Sequence, residues 1–391
     1  MSTRTMPGPV SGAADAESEG GGEWVVAVLL FSSTCIIVGL LWDISWHMSI
    51  GRDTLWSPPH VLEQIGAGLA GLACGWLAIR TTFGGSATAR ARAVRFWGFR
   101  APLGAWIAIW GAFAMIFSIP FDNWWHNAYG LDVEILSPPH IVLLAGMIGI
   151  QVGAIVLAVG HQNRAKAGQM RRLALAGTFA AGATIAMFVT MLSEYILQPN
   201  QWRYGLTYQI TAAAFPFLLV GAARAGKLRF GATAAAASFM LIYLVTQWVL
   251  VQFPATPRLT PIMRPITHLV AFGFPIPLIA PALLLDLLNA RAEKWSAWFL
   301  AIASGIAFVI ALLAAQLPLT WFLIGTPLAQ NDVFLTDHWP YWESPGDWER
   351  EFWSDQSPGS FASSLLVATG LAIVSARAGL WWGNWLRRVR R

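Results

Sequence analysis

Long apolar stretches recur along the chain, and short segments between them hold most of its charged and turn-forming residues. An α-helix needs about 20 mostly apolar residues to cross the hydrocarbon core of a bilayer. Ten stretches approach or exceed this length, and Pro216 weakens the sixth. The pattern predicts an all-α polytopic integral membrane protein with about ten transmembrane helices, at residues 24–47, 58–80, 101–121, 138–160, 173–196, 207–224, 231–253, 265–288, 295–325 and 359–384.

The composition agrees with this prediction. Charged residues make up 12% of the chain, whereas a soluble domain usually has about 25%. Hydrophobic residues make up 56%, and the mean hydropathy is +0.55, which excludes intrinsic disorder of the chain as a whole. Cys35 and Cys74 are the only cysteines and both lie in apolar stretches, so a disulfide framework and a cysteine-based zinc module are also excluded.

The charged residues predict an orientation. Lys and Arg concentrate in the connections after even-numbered predicted helices and at the C-terminal end, whereas the last odd-numbered connection is acidic. Positive charge favours the cytoplasmic side, so we expect both termini in the cytoplasm of a bacterial or archaeal-type cell. A basic membrane edge also accounts for the isoelectric point of about 9.6. The expected partner is therefore the lipid bilayer, and no nucleic acid is expected.

A pattern of 19 residues in one copy and 20 in the other occurs twice and contains four of the seven histidines. The first copy, WDISWHMSIGRDTLWSPPH, ends at His60, and the second, FDNWWHNAYGLDVEILSPPH, ends at His140. Each copy joins an odd-numbered predicted helix to the next even-numbered one, which predicts a duplicated helical hairpin on the non-cytoplasmic side. The alignment pairs Asp43 with Asp122, His47 with His126, Gly51 with Gly130, Asp53 with Asp132 and His60 with His140.

The spacing in each copy suits metal ligation. Asp43 and His47 are four residues apart, so they share one helix face. Pro58 and Pro59 favour the first turn of the next helix, which brings His60 back toward this pair. Imidazole and carboxylate ligands suit copper, zinc and iron, so the ligand types do not name the metal. The alternative is a set of hydrogen-bonded polar side chains at the membrane interface.

The second copy offers the same donors in Asp122, His126 and His140. Further polar residues lie close to both sets of donors in sequence. Glu63 follows His60 by three residues and either orients the imidazole or complements the helix dipole. Asp53 and Asp132 are expected to cap or hydrogen-bond their loops, near the metal and not bound to it.

The first copy resembles the signature of the C subunit of copper membrane monooxygenases, which oxidise methane, ammonia or short alkanes. That signature is Asp-x-x-x-His followed thirteen residues later by a second His, with Arg-Asp-Thr in between, as in Arg52-Asp53-Thr54 here. The family's second cluster is Asn-x-x-x-His with a fourteen-residue spacing, which His126 and His140 match. Asp122 stands where the family has Asn, and Asn123 follows it.

The resemblance covers residues 24–160 and implies copper chemistry. Asp43, His47 and His60 would hold one catalytic copper ion. Asp122 or Asn123, together with His126 and His140, would hold or shape a neighbouring site. The implied function is a copper-dependent membrane monooxygenase that oxidises a small apolar or uncharged substrate with O₂. Other monooxygenase subunits or further copies of the chain are the implied partners.

Two alternative functions stay open at this point. One is a membrane protein that binds or transfers copper without oxygenase activity, and the other is a structural subunit of a larger membrane complex. The predicted organisation is a disordered tail (1–22), a four-helix metal-binding region (23–160) and six further transmembrane helices (161–391). An external loop is expected at about 326–358, within the last region.

Overall fold

The structure is a computed structural model that describes residues 22–130, 137–196, 204–292, 294–352 and 356–390. Most of the predicted tail and Asp132 lie outside the described residues. The helices are α1 (Glu23–Ser49), α2 (Pro58–Phe83), α3 (Ala87–Arg92), α4 (Leu103–Tyr129), α5 (Pro138–Gln162), α6 (Ala167–Met191), α7 (Ser193–Ile196), α8 (Gly205–Ala225), α9 (Gly231–Leu250), α10 (Ile279–Arg291), α11 (Ala297–Gly325) and α12 (Pro358–Leu386).

Within the described ranges, nine helices are long and apolar enough to cross a membrane. Together they make the chain an α-helical polytopic membrane protein. The sheet found in these ranges is a small antiparallel hairpin, β1 (Val94–Phe96) and β2 (Phe99–Ala101), between α3 and α4. Short 3₁₀ turns lie at Pro327–Ala329 and Asp347–Arg350.

Pro216 does not break the sixth predicted helix, because it lies inside the continuous helix α8. A proline in a membrane helix disturbs the local backbone hydrogen bonds, and neighbouring helices can replace them. The adjacent Phe217 N–H donates to Ser375 Oγ of α12 at 2.9 Å. The polar partner on the facing helix therefore compensates for the weakness that the sequence indicates.

The predicted eighth helix differs from the structure over its first half. Residues 265–278 are irregular, and the helix α10 begins only at Ile279. Pro275 and Pro277 cannot donate backbone hydrogen bonds and disfavour a helical residue before them. Gly273 has a positive φ of 93°, which ends any regular helix at that point.

Partners from other elements satisfy the backbone of this irregular segment. Ser45 Oγ donates to Val270 O and Val270 N–H donates to Ser49 Oγ, both at 2.7 Å. Further along the segment, the hydroxyl of Tyr243 donates to Gly273 O at 3.2 Å. Irregular backbone at membrane depth is tolerated when it is surrounded by protein in this way.

The two hairpins that carry the repeated pattern pack against each other through α2, α4 and α5. The contact of α4 with α5 needs small residues, since a Cβ atom at Gly111 would lie 2.6 Å from Ile150 N. Close backbone approach of this kind is typical of membrane helix pairs. We call the end of the bundle where α1 and α4 end and α2 and α5 begin the motif end.

Candidate metal centre

Helix α1 and the start of α2 bring four potential ligands together at the motif end. One ligand atom from each of Asp43, His47, Asp53 and His60 lies within 4.8 Å of all the others. We call these residues the first cluster. The shortest separations are from His60 Nε2, which lies 3.0 Å from Asp43 Oδ1 and 3.3 Å from Asp53 Oδ2. His47 Nε2 lies 3.5 Å from Asp53 Oδ2 and 3.8 Å from Asp43 Oδ2.

Local sequence explains the shape of the first cluster. Asp43 and His47 occupy one face of the last turns of α1, and Gly51 reverses the chain with a φ of 82°. Pro58 and Pro59 then begin α2, so His60 falls in its first turn. Asp53 lies in the connecting loop, and its carboxylate is one of the four converging groups. The sequence predicts Asp53 only as a loop residue near the metal.

Backbone contacts fix the orientation of His60. Its Nδ1 atom lies 2.8 Å from Thr54 O, and Ser57 Oγ accepts from Thr54 N–H at 2.8 Å. A carbonyl oxygen only accepts, so Nδ1 carries a proton, and in the neutral imidazole the lone pair then lies at Nε2, as in histidines that bind metals. Sequence reasoning missed the role of the Thr54 carbonyl, because a backbone acceptor leaves no residue-type signal.

The His60 tautomer creates an electrostatic requirement in the cluster. Asp43 Oδ1 is buried, and the polar atom beside it is His60 Nε2. An unprotonated Nε2 at 3.0 Å from it would set two lone pairs against each other. A cation between them, either a proton or a metal ion, removes this repulsion.

Glu63 does not join the four ligands. Its side chain is 3% exposed and lies one turn inward of His60, against Gly39 of α1. A Cβ atom at Gly39 would lie 2.5 Å from Glu63 Cγ, so the glycine makes room for the carboxylate. Glu63 Oε1 is buried without a hydrogen-bond partner among the described residues.

The second copy forms a looser group at the same end, which we call the second cluster. Asp122 Oδ2 lies 3.3 Å from His126 Nε2, and Asp122 Oδ1 lies 3.7 Å from His140 Nε2. His126 Nδ1 lies 3.2 Å from Gly130 O, which orients that imidazole as Thr54 orients His60. Asn123 is exposed and does not share the face of Asp122, so Asp122 is the residue that the structure places between both histidines.

Loops from the second half of the chain cover the first hairpin. Tyr341 N–H donates to Met48 O at 3.1 Å, and Arg258 N–H donates to Ile50 O at 2.9 Å. Met263 N–H donates to Tyr341 O at 2.8 Å, which joins the two loops. Burial raises the pKa of the Tyr341 hydroxyl, and that hydroxyl lies against Gly51.

Two further loop residues show the effect of burial on ionisation. Burial lowers the pKa of His338 below its ordinary value of 6.5, against an opposing effect of Asp332. Burial also lowers the pKa of Arg264, although Arg264 forms an ion pair with Glu349. The two loops that cover the first hairpin therefore each contain an ionisable side chain whose pKa is lowered by burial.

Comparisons of the chain with known protein families, curated proteins and solved structures give no match. The motif resemblance of residues 24–160 thus depends on the residue pattern alone.

Proposed function

We propose that the protein is a membrane metalloprotein whose first cluster binds one divalent transition-metal ion. The convergence of two imidazoles and two carboxylates within 4.8 Å carries this proposal. The two carboxylates bring a charge of about −2 when ionised, which a divalent cation balances while both imidazoles stay neutral. The contact of His60 Nδ1 with Thr54 O (2.8 Å) supports the same interpretation, because it aims Nε2 at the site.

We infer that the metal is copper, from the resemblance to the copper membrane monooxygenases. Asp43, His47 and His60 would hold the ion, and Asp53 would add a fourth donor. Bound copper would supply redox chemistry with O₂ toward a small apolar or uncharged substrate. The chain's own residues would position the ion, and the loops at Tyr341 and Arg258 would limit access of bulk water.

The donor types favour a resident metal over copper transfer. Sulfur ligands select Cu(I), whereas nitrogen and oxygen donors suit divalent ions. The first cluster presents only nitrogen and oxygen atoms. A protein that takes up copper but shows no O₂-dependent oxidation would support the alternative function of copper binding without oxygenase activity.

Metal analysis of protein purified from its native membrane tests the proposal. The wild type should retain about one tightly bound ion at the first cluster, and His60→Ala should lose it because the coordination sphere is incomplete. His161→Ala is the matched control, since His161 lies at the other end of α5. Equal metal content in wild type and His60→Ala would reject the metal site and favour a hydrogen-bonded cluster with protonated His60.

We also propose ten membrane crossings with both termini in the cytoplasm. Nine crossings would be the nine long helices. The irregular segment 265–278 and α10 together would make the tenth. Val270 bonds to Ser45 and Ser49 near the motif end. At the opposite end, the Asp286 carboxylate of α10 accepts from Thr233 N–H (2.8 Å) at the start of α9.

Cysteine labelling tests this topology. Trp56 and Trp97 are 79% and 81% exposed and lie in loops at opposite ends of the bundle. In a background with Cys35 and Cys74 replaced by alanine, Trp56→Cys should react with an impermeant thiol reagent added outside intact cells. Trp97→Cys should react only after lysis, and the reverse pattern would invert the orientation.

A further inference from the structure

We propose that internal water molecules occupy a polar file that extends from the first cluster to the middle of the bundle. The file consists of Glu63 on α2, Ser32 and Ser33 on α1, and Gln151 on α5. It would give the cluster a store of exchangeable protons on its inner side, away from the loops of the motif end. This inference does not require a metal in the first cluster.

Every side chain of the file is buried and has one oxygen atom without a protein partner among the described residues. Relative exposures are 3% for Glu63 and 0% for Ser32, Ser33 and Gln151. Glu63 Oε1, Ser32 Oγ, Ser33 Oγ and Gln151 Oε1 have no hydrogen-bond partner among the described residues. Buried polar atoms are nearly always hydrogen-bonded, and ordered water supplies the bond where protein atoms do not.

The hydroxyls of Ser32 and Ser33 depart from the usual behaviour of this protein. Several buried hydroxyls in other helices donate to the carbonyl four residues earlier, as Thr184 does to Ala180 O (2.8 Å) and Thr190 to Ala186 O (2.9 Å). Thr34, on the same turn of α1, donates to Leu30 O at 2.9 Å. Ser32 and Ser33 have this option as well but leave their hydroxyls without a protein partner.

Helix contacts place the members of the file along the seams of α1 with α2 and α5. Glu63 lies against Gly39, and Gly66, one turn further along α2, lies against α1 where a Cβ atom would meet Ser32 O at 2.8 Å. Gln151 Nε2 lies 3.5 Å from Ser33 O, which joins α5 to the file. Ser33 is ten residues before Asp43, about 15 Å along the helix axis.

The chemistry of the file selects water. Hydroxyl and amide groups both donate and accept hydrogen bonds, so a water molecule between them can satisfy each neighbour. The file contains only one carboxylate and no basic side chain, so it lacks the ligand set of a cation or anion site. The close approach of α1 and α2 at Gly39 and Gly66 leaves no space for a ligand larger than water.

Two buried thiols allow a direct test. Cys35 borders the file, since its Cβ would lie 3.2 Å from a Cβ atom at Gly66. Cys74 lies two turns past Gly66 on α2 and is the control thiol away from the file. It is 0% exposed and Cys35 is 6% exposed, so the polar variants separate internal water from ordinary exposure. The Cys74→Ala variant reports on Cys35 alone, and Cys35→Ala reports on Cys74 alone. After transfer to D₂O, infrared spectroscopy follows exchange of each S–H group.

We expect the Cys35 thiol to exchange at least about tenfold faster than the Cys74 thiol. Ser33→Ala combined with Gln151→Leu should slow Cys35 toward the rate of Cys74, while circular dichroism shows unchanged helix content. Equal rates for the two thiols would overturn the proposal without use of any polar variant. His60→Ala should leave the exchange of Cys35 fast, which separates failure of this proposal from failure of the metal site.

Discussion

The two repeated hairpins share a sequence pattern but differ in what surrounds them. In the first hairpin, Asp43 is 18% exposed in its side chain and His60 is 25% exposed, and four ligands converge. In the second, Asp122 is 35% exposed, His140 is 36% exposed, and the nearest imidazole lies 3.3 Å from the carboxylate. A repeated pattern therefore fixes the donors and the helix face, while contacts from elsewhere decide how tightly the donors close.

The loops that contain Tyr341 and Arg258 contact the end of α1 at Met48 and Ile50. We attribute much of this difference to them. Tyr341 and Arg258 bond to the backbone at the end of α1, and Val270 is bonded on the neighbouring face by Ser45 and Ser49. These partners come from residues more than 200 positions away in the sequence. The first cluster is thus built by the second half of the chain as well as by its own hairpin.

The largest expected effect comes from removal of the central carboxylate of each hairpin. Asp43→Ala should weaken metal binding at the first cluster by more than about 100-fold, because it removes a ligand and one of the two negative charges that balance the ion. Asp122→Ala should leave the first cluster loaded. Metal titration of the two purified variants measures both effects. Equal losses in both variants would show that the hairpins act as one site.

A smaller effect is expected from Asp53, the loop carboxylate of the first cluster, whose counterpart Asp132 lies outside the described residues. Asp53→Asn keeps the shape of the side chain and removes its charge, so we expect metal affinity to fall about 10- to 100-fold. The metal-bound spectrum should change as well, because one ligand oxygen is replaced. An unchanged affinity and spectrum would place Asp53 outside the coordination sphere and make the first cluster a three-donor site.

The glycine pair gives a matched comparison of loop packing. Gly51 and Gly130 both have positive φ values, 82° and 91°. A Cβ atom at Gly51 would collide with the Tyr341 hydroxyl, whereas no described residue lies within 4 Å of one at Gly130. Alanine should cost about 1–3 kcal/mol at either position for the backbone, with about 1–3 kcal/mol more at Gly51 for overpacking.

Thermal unfolding in detergent measures that difference. Gly51→Ala should lower the midpoint more than Gly130→Ala, and Gly51→Ala combined with Tyr341→Ala should recover part of the loss. Midpoints that fall equally for both glycines would mean that the Tyr341 loop does not restrain the first hairpin.

The smallest effect is a pH dependence confined to the loop over the first hairpin. The folded state lowers the pKa of His338 below 6.5, so the unfolded loop takes up a proton first as the pH falls. The stabilising contribution is therefore present above about pH 6.5 and declines as the pH falls below this value. Hydrogen exchange of residues 335–345 at pH 7.5 and 5.5 should show faster opening at the lower pH, and His338→Gln should reduce the change.

The sequence by itself determined most of the helices and the identity of the donors. Nine of the ten predicted stretches are membrane-length helices, since hydropathy over about 20 residues reflects a requirement of the bilayer itself. The spacing of Asp43 and His47 placed both on one helix face, because the helical period is fixed locally. The double proline before His60 likewise set the start of α2, as proline fits the first turn of a helix.

Tertiary structure decided the features that depend on distant partners. Residues 265–278 are apolar enough for a helix, yet their prolines and the hydrogen bonds from Ser45, Ser49 and Tyr243 stabilise an irregular path. Asp53 entered the first cluster because the loop after Gly51 folds back over it. Hydropathy and spacing describe neighbours along the chain, whereas these outcomes depend on which distant atoms satisfy a buried polar group.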